Sequence, residues 1–91
     1  MSMATVRFTP NLQRHVATPP KEVDASTVRA ALDSVFATNP QARSYILDDQ
    51  GAVRQHIAIF LDGEQIRDRF ALSDEIDAGT EIYVMQALSG G

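Results

Sequence analysis

Only one stretch of this chain, Val28 to Phe36, spaces its apolar residues as a helix does. Val28, Ala31, Leu32, Val35 and Phe36 recur at i, i+3, i+4, i+7 and i+8, which draws one stripe along one helical face. Ser26 or Thr27 stands where a hydroxyl can accept a hydrogen bond from the first free amides, a cap worth about 1 kcal/mol. Asn39-Pro40 ends the helix, because the residue before a proline is pushed out of the α region. The remaining apolar residues come in alternation or in short runs between turns. A lone amphipathic helix needs a sheet to bury its stripe, so the chain is expected to be α+β, one helix against one sheet.

The strands are read from period-two patterns. Ala4 to Phe8 alternates, with Val6 and Phe8 on one face, and Pro10-Asn11 breaks it. Leu12 to Pro20 is irregular and polar, and reads as a loop closed by Pro19-Pro20. Glu22 to Ala25 reads as a short strand with Val23 inward. Ile46-Leu47 precedes a turn at Asp48-Asp-Gln-Gly51, and Val53 resumes. His56 to Leu61 sets Ile57, Ile59 and Leu61 on one face and His56, Ala58 and Phe60 on the other. Asp62-Gly63 is a two-residue hairpin signal that returns the chain through Gln65-Ile66-Arg67. Phe70 to Asp77 reads as a loop with one turn of helix, and Ala78-Gly79 as a turn. A last strand over Thr80 to Gln86 places Ile82 and Val84 inward, with Tyr83 and Met85 outward. Strand, strand, helix, strand, strand, strand is the plan of the ubiquitin-like β-grasp fold, a mixed sheet packed on one main helix.

At 91 residues there is room for one core, expected over residues 1–87, with 88–91 as a flexible tail. The apolar fraction of 44% is that of a globular chain, and no apolar run approaches a membrane span. No basic region with an apolar signal core opens the sequence, so a cytoplasmic location is expected and no membrane partner. The absence of cysteine removes disulfides, side-chain thiolates and cysteine-type zinc sites. A net charge of −4, with seven arginines and one lysine scattered along the chain, argues against nucleic acid.

The sequence closes on Gly90-Gly91, directly after the last strand pattern. Glycines there serve no fold, since glycine weakens strand and helix alike. They do serve a terminus that must thread a narrow cleft and bring its carboxylate to a nucleotide phosphate. A frayed end of small residues is the competing reading.

From Val23 to Gly91 the sequence resembles the small ubiquitin-like (MoaD/ThiS-like) sulfur carriers. That family includes the small subunit of molybdopterin synthase and the thiamin- and cysteine-pathway carriers. The resemblance is carried by Ser26-Thr-Val-Arg-Ala-Ala-Leu32, by Gly51 through Arg67, by Leu72 with Ile76-Asp-Ala-Gly79, and by Ile82 through Gly91. Gln86 and Ser89 depart from it, standing where the family usually has proline and Ala or Thr. Asp62 stands where Asn is common, and Thr80 where an acidic residue is.

The resemblance implies that the protein is not itself an enzyme. Its Gly91 carboxylate would be the reacting group, with Gly90 beside it. An E1-like adenylyltransferase/sulfurtransferase would activate Gly91 with ATP, and a thiocarboxylate would pass to a sulfur-accepting biosynthetic enzyme. No cofactor would be bound by the chain, and it would be a monomer alone. A protein modifier or non-covalent interaction module is the alternative function.

Phe60, Tyr83 and Met85, with Leu88 on the tail, are the candidate partner-binding residues; scattered surface apolar residues are the plainer reading. His15 and His56 lie on different elements without ligand spacing, so a metal role is not expected. Asp74, Glu75, Asp77 and Glu81 lack an EF-hand pattern, and Asp48-Asp49 reads as a turn. No nucleophile elbow supports a hydrolase.

Overall fold

The computed structural model describes residues 3–13 and 19–86. Five strands form one sheet in the order β2-β1-β5-β3-β4: β1 Ala4–Phe8, β2 Lys21–Val23, β3 Ile57–Leu61, β4 Glu64–Gln65 and β5 Glu81–Gln86. β1 and β5 pair in parallel at the centre, with Thr5 against Glu81 and Phe8 against Val84. The other pairings are antiparallel. First and last strands side by side in a mixed sheet, with a helix across one face, make this the expected β-grasp.

The helix α2, Val28–Thr38, buries the five residues of the stripe, Val28, Ala31, Leu32, Val35 and Phe36. Thr27 is its N-cap, the hydroxyl accepting from the Ala30 amide at 3.2 Å. Val6, Ile59, Ile82 and Val84, all fully buried, face it from the sheet. Ile57 and Ile59 are buried as expected, while Leu61 is half-buried at the edge of the core.

Three expectations need correction. Two further helical segments are present: a single turn, α1, over Pro10–Gln13, and α3 over Pro40–Ile46. Pro40 does end α2, whose C-cap is Asn39, but it also occupies the first turn of α3. A proline has no amide to lose there, so it starts one helix as readily as it stops another. Within the stretch read as loop, Leu12 is wholly buried, and its amide bonds the Thr9 carbonyl at 3.0 Å. Phe70 to Asp77 contains no helical turn. Backbone bonds tie it to the start of α2, with the amides of Arg29 and Val28 donating to the Leu72 and Asp74 carbonyls and the Ile76 amide to that of Ser26, and side chains complete the ordering.

Asp68 is the centre of this ordering. One carboxylate oxygen accepts the amides of Phe70 and Ala71, both at 3.0 Å. The other accepts the Ser73 hydroxyl at 2.6 Å and the Ser73 amide at 3.2 Å. Asp74 accepts the amides of Arg67 and Asp68 in turn. Arginines clasp the same loops by donating to carbonyls. Arg29 reaches Gly51, Ala71 and Phe70, and Arg69 reaches Arg54 and Ile57.

The Asp62-Gly63 hairpin turn forms as read, with φ of 49° and 94°, positive at both positions as a type I′ turn requires. β4 is only two residues long, although the Ile66 amide still bonds Ile59 across the hairpin.

Candidate functional site

Alternation along β1, β3 and β5 leaves one face of the sheet away from α2, and register decides which residues meet there. Tyr83 pairs with Phe60 on one side and Arg7 on the other, and Phe60 pairs with Gln65. Arg7, Tyr83, Phe60 and Gln65 therefore make one row across four strands. Met85 pairs with Ala58 in a second row, nearer the end of β5. Tyr83 is exposed, and Phe60 and Met85 are half-buried. The patch is bordered by a surface ion pair, Arg7 Nε to Glu81 Oε1 at 3.0 Å.

The structure thus brings three of the sequence-predicted residues, Phe60, Tyr83 and Met85, onto one surface beside the end of the last strand. Leu88, Gly90 and Gly91 lie outside the described residues. Arg7 and Gln65 were missed; strand alternation marks them as outward, but only the register places them beside Tyr83 and Phe60.

No other place among the described residues gathers groups for chemistry. No set of three His, Asp or Glu residues could hold a metal there. His56 packs edge-on to the Tyr45 ring, centroids 5.2 Å apart, and His15 lies outside the described residues. Asp48 accepts the amides of Ala52 and Gln50, which lower its pKa in that order and identify it as a turn residue. The Asp68 carboxyl is held far below the ordinary carboxylate range, first by the Ser73 hydroxyl and then by the amides of Ala71 and Phe70. A shallow cleft of about 500 Å³ opens near the start of α2, but Asp24 and Asp77 line it, which disfavours an anion. No helix among the described residues is long and apolar enough to cross a membrane.

The remaining question is whether the sheet face and the sequence after it belong together. The family model described as the ThiS family matches residues 12–91. The chain belongs to the ThiS family.

That match takes in β5 and all the sequence beyond it. Among solved structures, the ThiS-family chain is similar to SAMP1 from Haloferax volcanii. The TM-score is 0.80 at 25% identity, with 99% of this chain and 100% of that one covered. A crystal structure of the Amycolatopsis orientalis BexX/CysO complex matches with a TM-score of 0.79 at 20% identity, covering 97% and 99%. The solution structure of Urm1 from Trypanosoma brucei matches at 0.68 and 15% identity, covering 99% and 96%. The last two show the shared fold. No curated protein sequence matches the chain.

Proposed function

We propose that this ThiS-family chain is a sulfur carrier that reacts through the carboxylate of Gly91. The observation that carries the reading is the extent of the family match, which runs through Gly90-Gly91 rather than stopping at the globular domain. In the first step a carboxylate oxygen attacks the α-phosphorus of ATP, pyrophosphate leaves, and an acyl-adenylate forms. A sulfide-equivalent nucleophile then adds to the carbonyl carbon, AMP leaves, and the terminus becomes a thiocarboxylate. Adenylation is needed because a carboxylate is a poor electrophile with no leaving group. The carrier supplies no acid or base; it is the substrate of a partner adenylyltransferase, and the sulfur passes on to a biosynthetic acceptor.

The sheet face is the natural docking surface in this scheme. The sequence after Gln86 spans at most about 17 Å when fully extended, so an enzyme engaging Gly91 must also approach the end of β5. Tyr83, Met85 and Phe60 stand there, of the residue types enriched at interface cores.

The test is reconstitution with the cognate adenylyltransferase, ATP and a sulfide source, followed by mass measurement of the C-terminal peptide. An oxygen-to-sulfur exchange at Gly91, absent from a chain lacking Gly91, supports the carrier. Formation of the adenylate by the truncated chain would overturn it.

The likeness to a small archaeal modifier protein at 25% identity favours one second reading, attachment of Gly91 to a lysine of another protein. It predicts a Gly-Gly remnant on that lysine. Self-linked chains are disfavoured in either case. Lys21 is the one lysine, and its Nζ donates to the Ser34 carbonyl at 3.1 Å and the Thr38 hydroxyl at 3.3 Å.

A further inference from the structure

The Asp62-Gly63 turn places a reactive pair side by side. Asp62 is the one Asp that precedes a glycine; every other Asp, and both Asn, are followed by a residue with a side chain. A main-chain amide that follows Asp can attack the side-chain carboxyl, and a Cβ beside the attacking nitrogen is what ordinarily obstructs it. At Gly63 that obstruction is missing, and the place a Cβ would take has nothing within 4 Å. Both residues are exposed, so water reaches them. Among the described residues the Gly63 amide donates to no acceptor, so it gives up no hydrogen bond by reacting.

The carboxyl it would attack is held in place. The Glu81 amide donates to Asp62 Oδ1 at 2.9 Å, and the Asp62 amide donates to the Glu81 carbonyl, also at 2.9 Å. Two bonds to β5 thus fix the residue at both its main chain and its side chain. The donor on Oδ1 stands where negative charge develops when a nucleophile adds to Cγ. A fixed backbone N–H at hydrogen-bond distance from such an oxygen stabilises that charge without reorganising. Oδ2 accepts nothing among the described residues and is free to leave.

We propose that Asp62-Gly63 is a site of spontaneous main-chain isomerisation. The Gly63 nitrogen adds to Cγ of the protonated Asp62 carboxyl, the N–Cγ bond forms and the Cγ–Oδ2 bond breaks. Oδ2 departs as water, carrying its own proton and the one from the Gly63 nitrogen, and a five-membered cyclic imide is left. A second water reopens the imide. Cleavage of the bond from nitrogen to Cγ restores Asp62, whereas cleavage at the main-chain carbonyl yields isoaspartate, with the chain running through Cβ and Cγ. The extra methylene falls within a two-residue turn whose geometry sets the strand register. It therefore disturbs the pairing of Leu61 with Glu64 and of Phe60 with Gln65, in the row that contains Tyr83. The proposal does not depend on the chemistry at Gly91.

The experiment is incubation of the full chain for several weeks at physiological pH and temperature, natively and in guanidinium chloride. Peptide mapping with electron-transfer fragmentation then distinguishes isoaspartate from Asp at each position. In the native chain isoaspartate is expected to accumulate at Asp62 about tenfold faster than at any other Asp, a difference of one factor of ten in rate. Gly63→Ala, which restores the Cβ, should slow it by about the same factor while a thermal melt still reports a folded domain. Isoaspartate that forms at Asp62 in guanidinium but not natively would show that the turn protects the pair, and would overturn the proposal. Even accumulation over all Asp positions, or an unchanged rate in Gly63→Ala, would overturn it as well.

Discussion

Gly51 and Gly63 both hold φ in the left-handed region, at 85° and 94°, yet they should not tolerate alanine equally. A Cβ on Gly63 meets nothing within 4 Å, so Gly63→Ala carries only the backbone cost of about 1 kcal/mol. A Cβ on Gly51 would lie 3.3 Å from both terminal nitrogens of Arg29, which must then shift away from the Gly51 carbonyl. Gly51→Ala should therefore be the more destabilising in urea denaturation, and equal costs would show that the Arg29 clasp contributes nothing. Asp68 gives a prediction with a sign. Its carboxyl titrates well below the ordinary 3.8, because the Ser73 hydroxyl and the amides of Ala71 and Phe70 favour the charged form. The stability these bonds add is complete above the unfolded value and is lost as pH falls through the folded one. Asp68→Ala should lower the melting temperature at neutral pH, and the gap to the parent should narrow below about pH 4. A gap that is constant with pH would mean that the charge of Asp68 is not what orders its loop. Little of this was legible in the sequence: Asp68 and Ser73 are ordinary loop residues until their hydrogen bonds are seen.

The elements divide into those whose own residues declare them and those decided by neighbours. α2 was readable from its apolar spacing and its cap; Thr27→Ala should cost about 1 kcal/mol, with helix content in isolated-domain melts as the check. α3 was not read because Pro40 was taken only as a stop, though Ala42 and Ile46, four apart and buried, carry the spacing of a short helix. α1 is shorter than any periodicity can reveal, and only tertiary contact makes Leu12 core. β3 and β5 were legible down to which side chains face out, because alternation and the Asp62-Gly63 turn fix their register together. The outward pair supports a prediction of its own. Met85→Asp or Phe60→Asp should weaken binding to the activating enzyme, by about thirtyfold if either is a central anchor, without unfolding the domain. Titration calorimetry paired with thermal melts separates the outcomes. Normal binding by both variants, or unfolding of both, would remove this face as the docking surface.

At the scale of the whole molecule, the pairing of β1 with β5 across 76 residues is what no local pattern announces, since Thr5 and Glu81 meet only once the whole sheet has assembled. The fold was nevertheless expected, because the order of elements admits few ways to cover one helical stripe. Gly90 belongs to this scale too, because the proposed carrier chemistry would bring it to another protein. Gly90→Val should reduce adenylation steeply in a pyrophosphate-exchange assay and leave the melting temperature alone, because a β-branched side chain restricts the backbone beside the reacting carbonyl. An undiminished rate would make the penultimate glycine incidental. The parallel pairing has a mechanical consequence as well. β1 runs from Ala4 and β5 runs to Gln86 in the same direction, edge to edge at the centre of the sheet. A pull on the C-terminal end of β5, resisted at the N-terminal end of β1, loads their hydrogen bonds in shear. The bonds then share the load and must fail together, whereas a hairpin pulled at its open end unzips one bond at a time. A machine that hauls on the chain beyond β5 therefore meets a seam loaded in shear, not one that unzips.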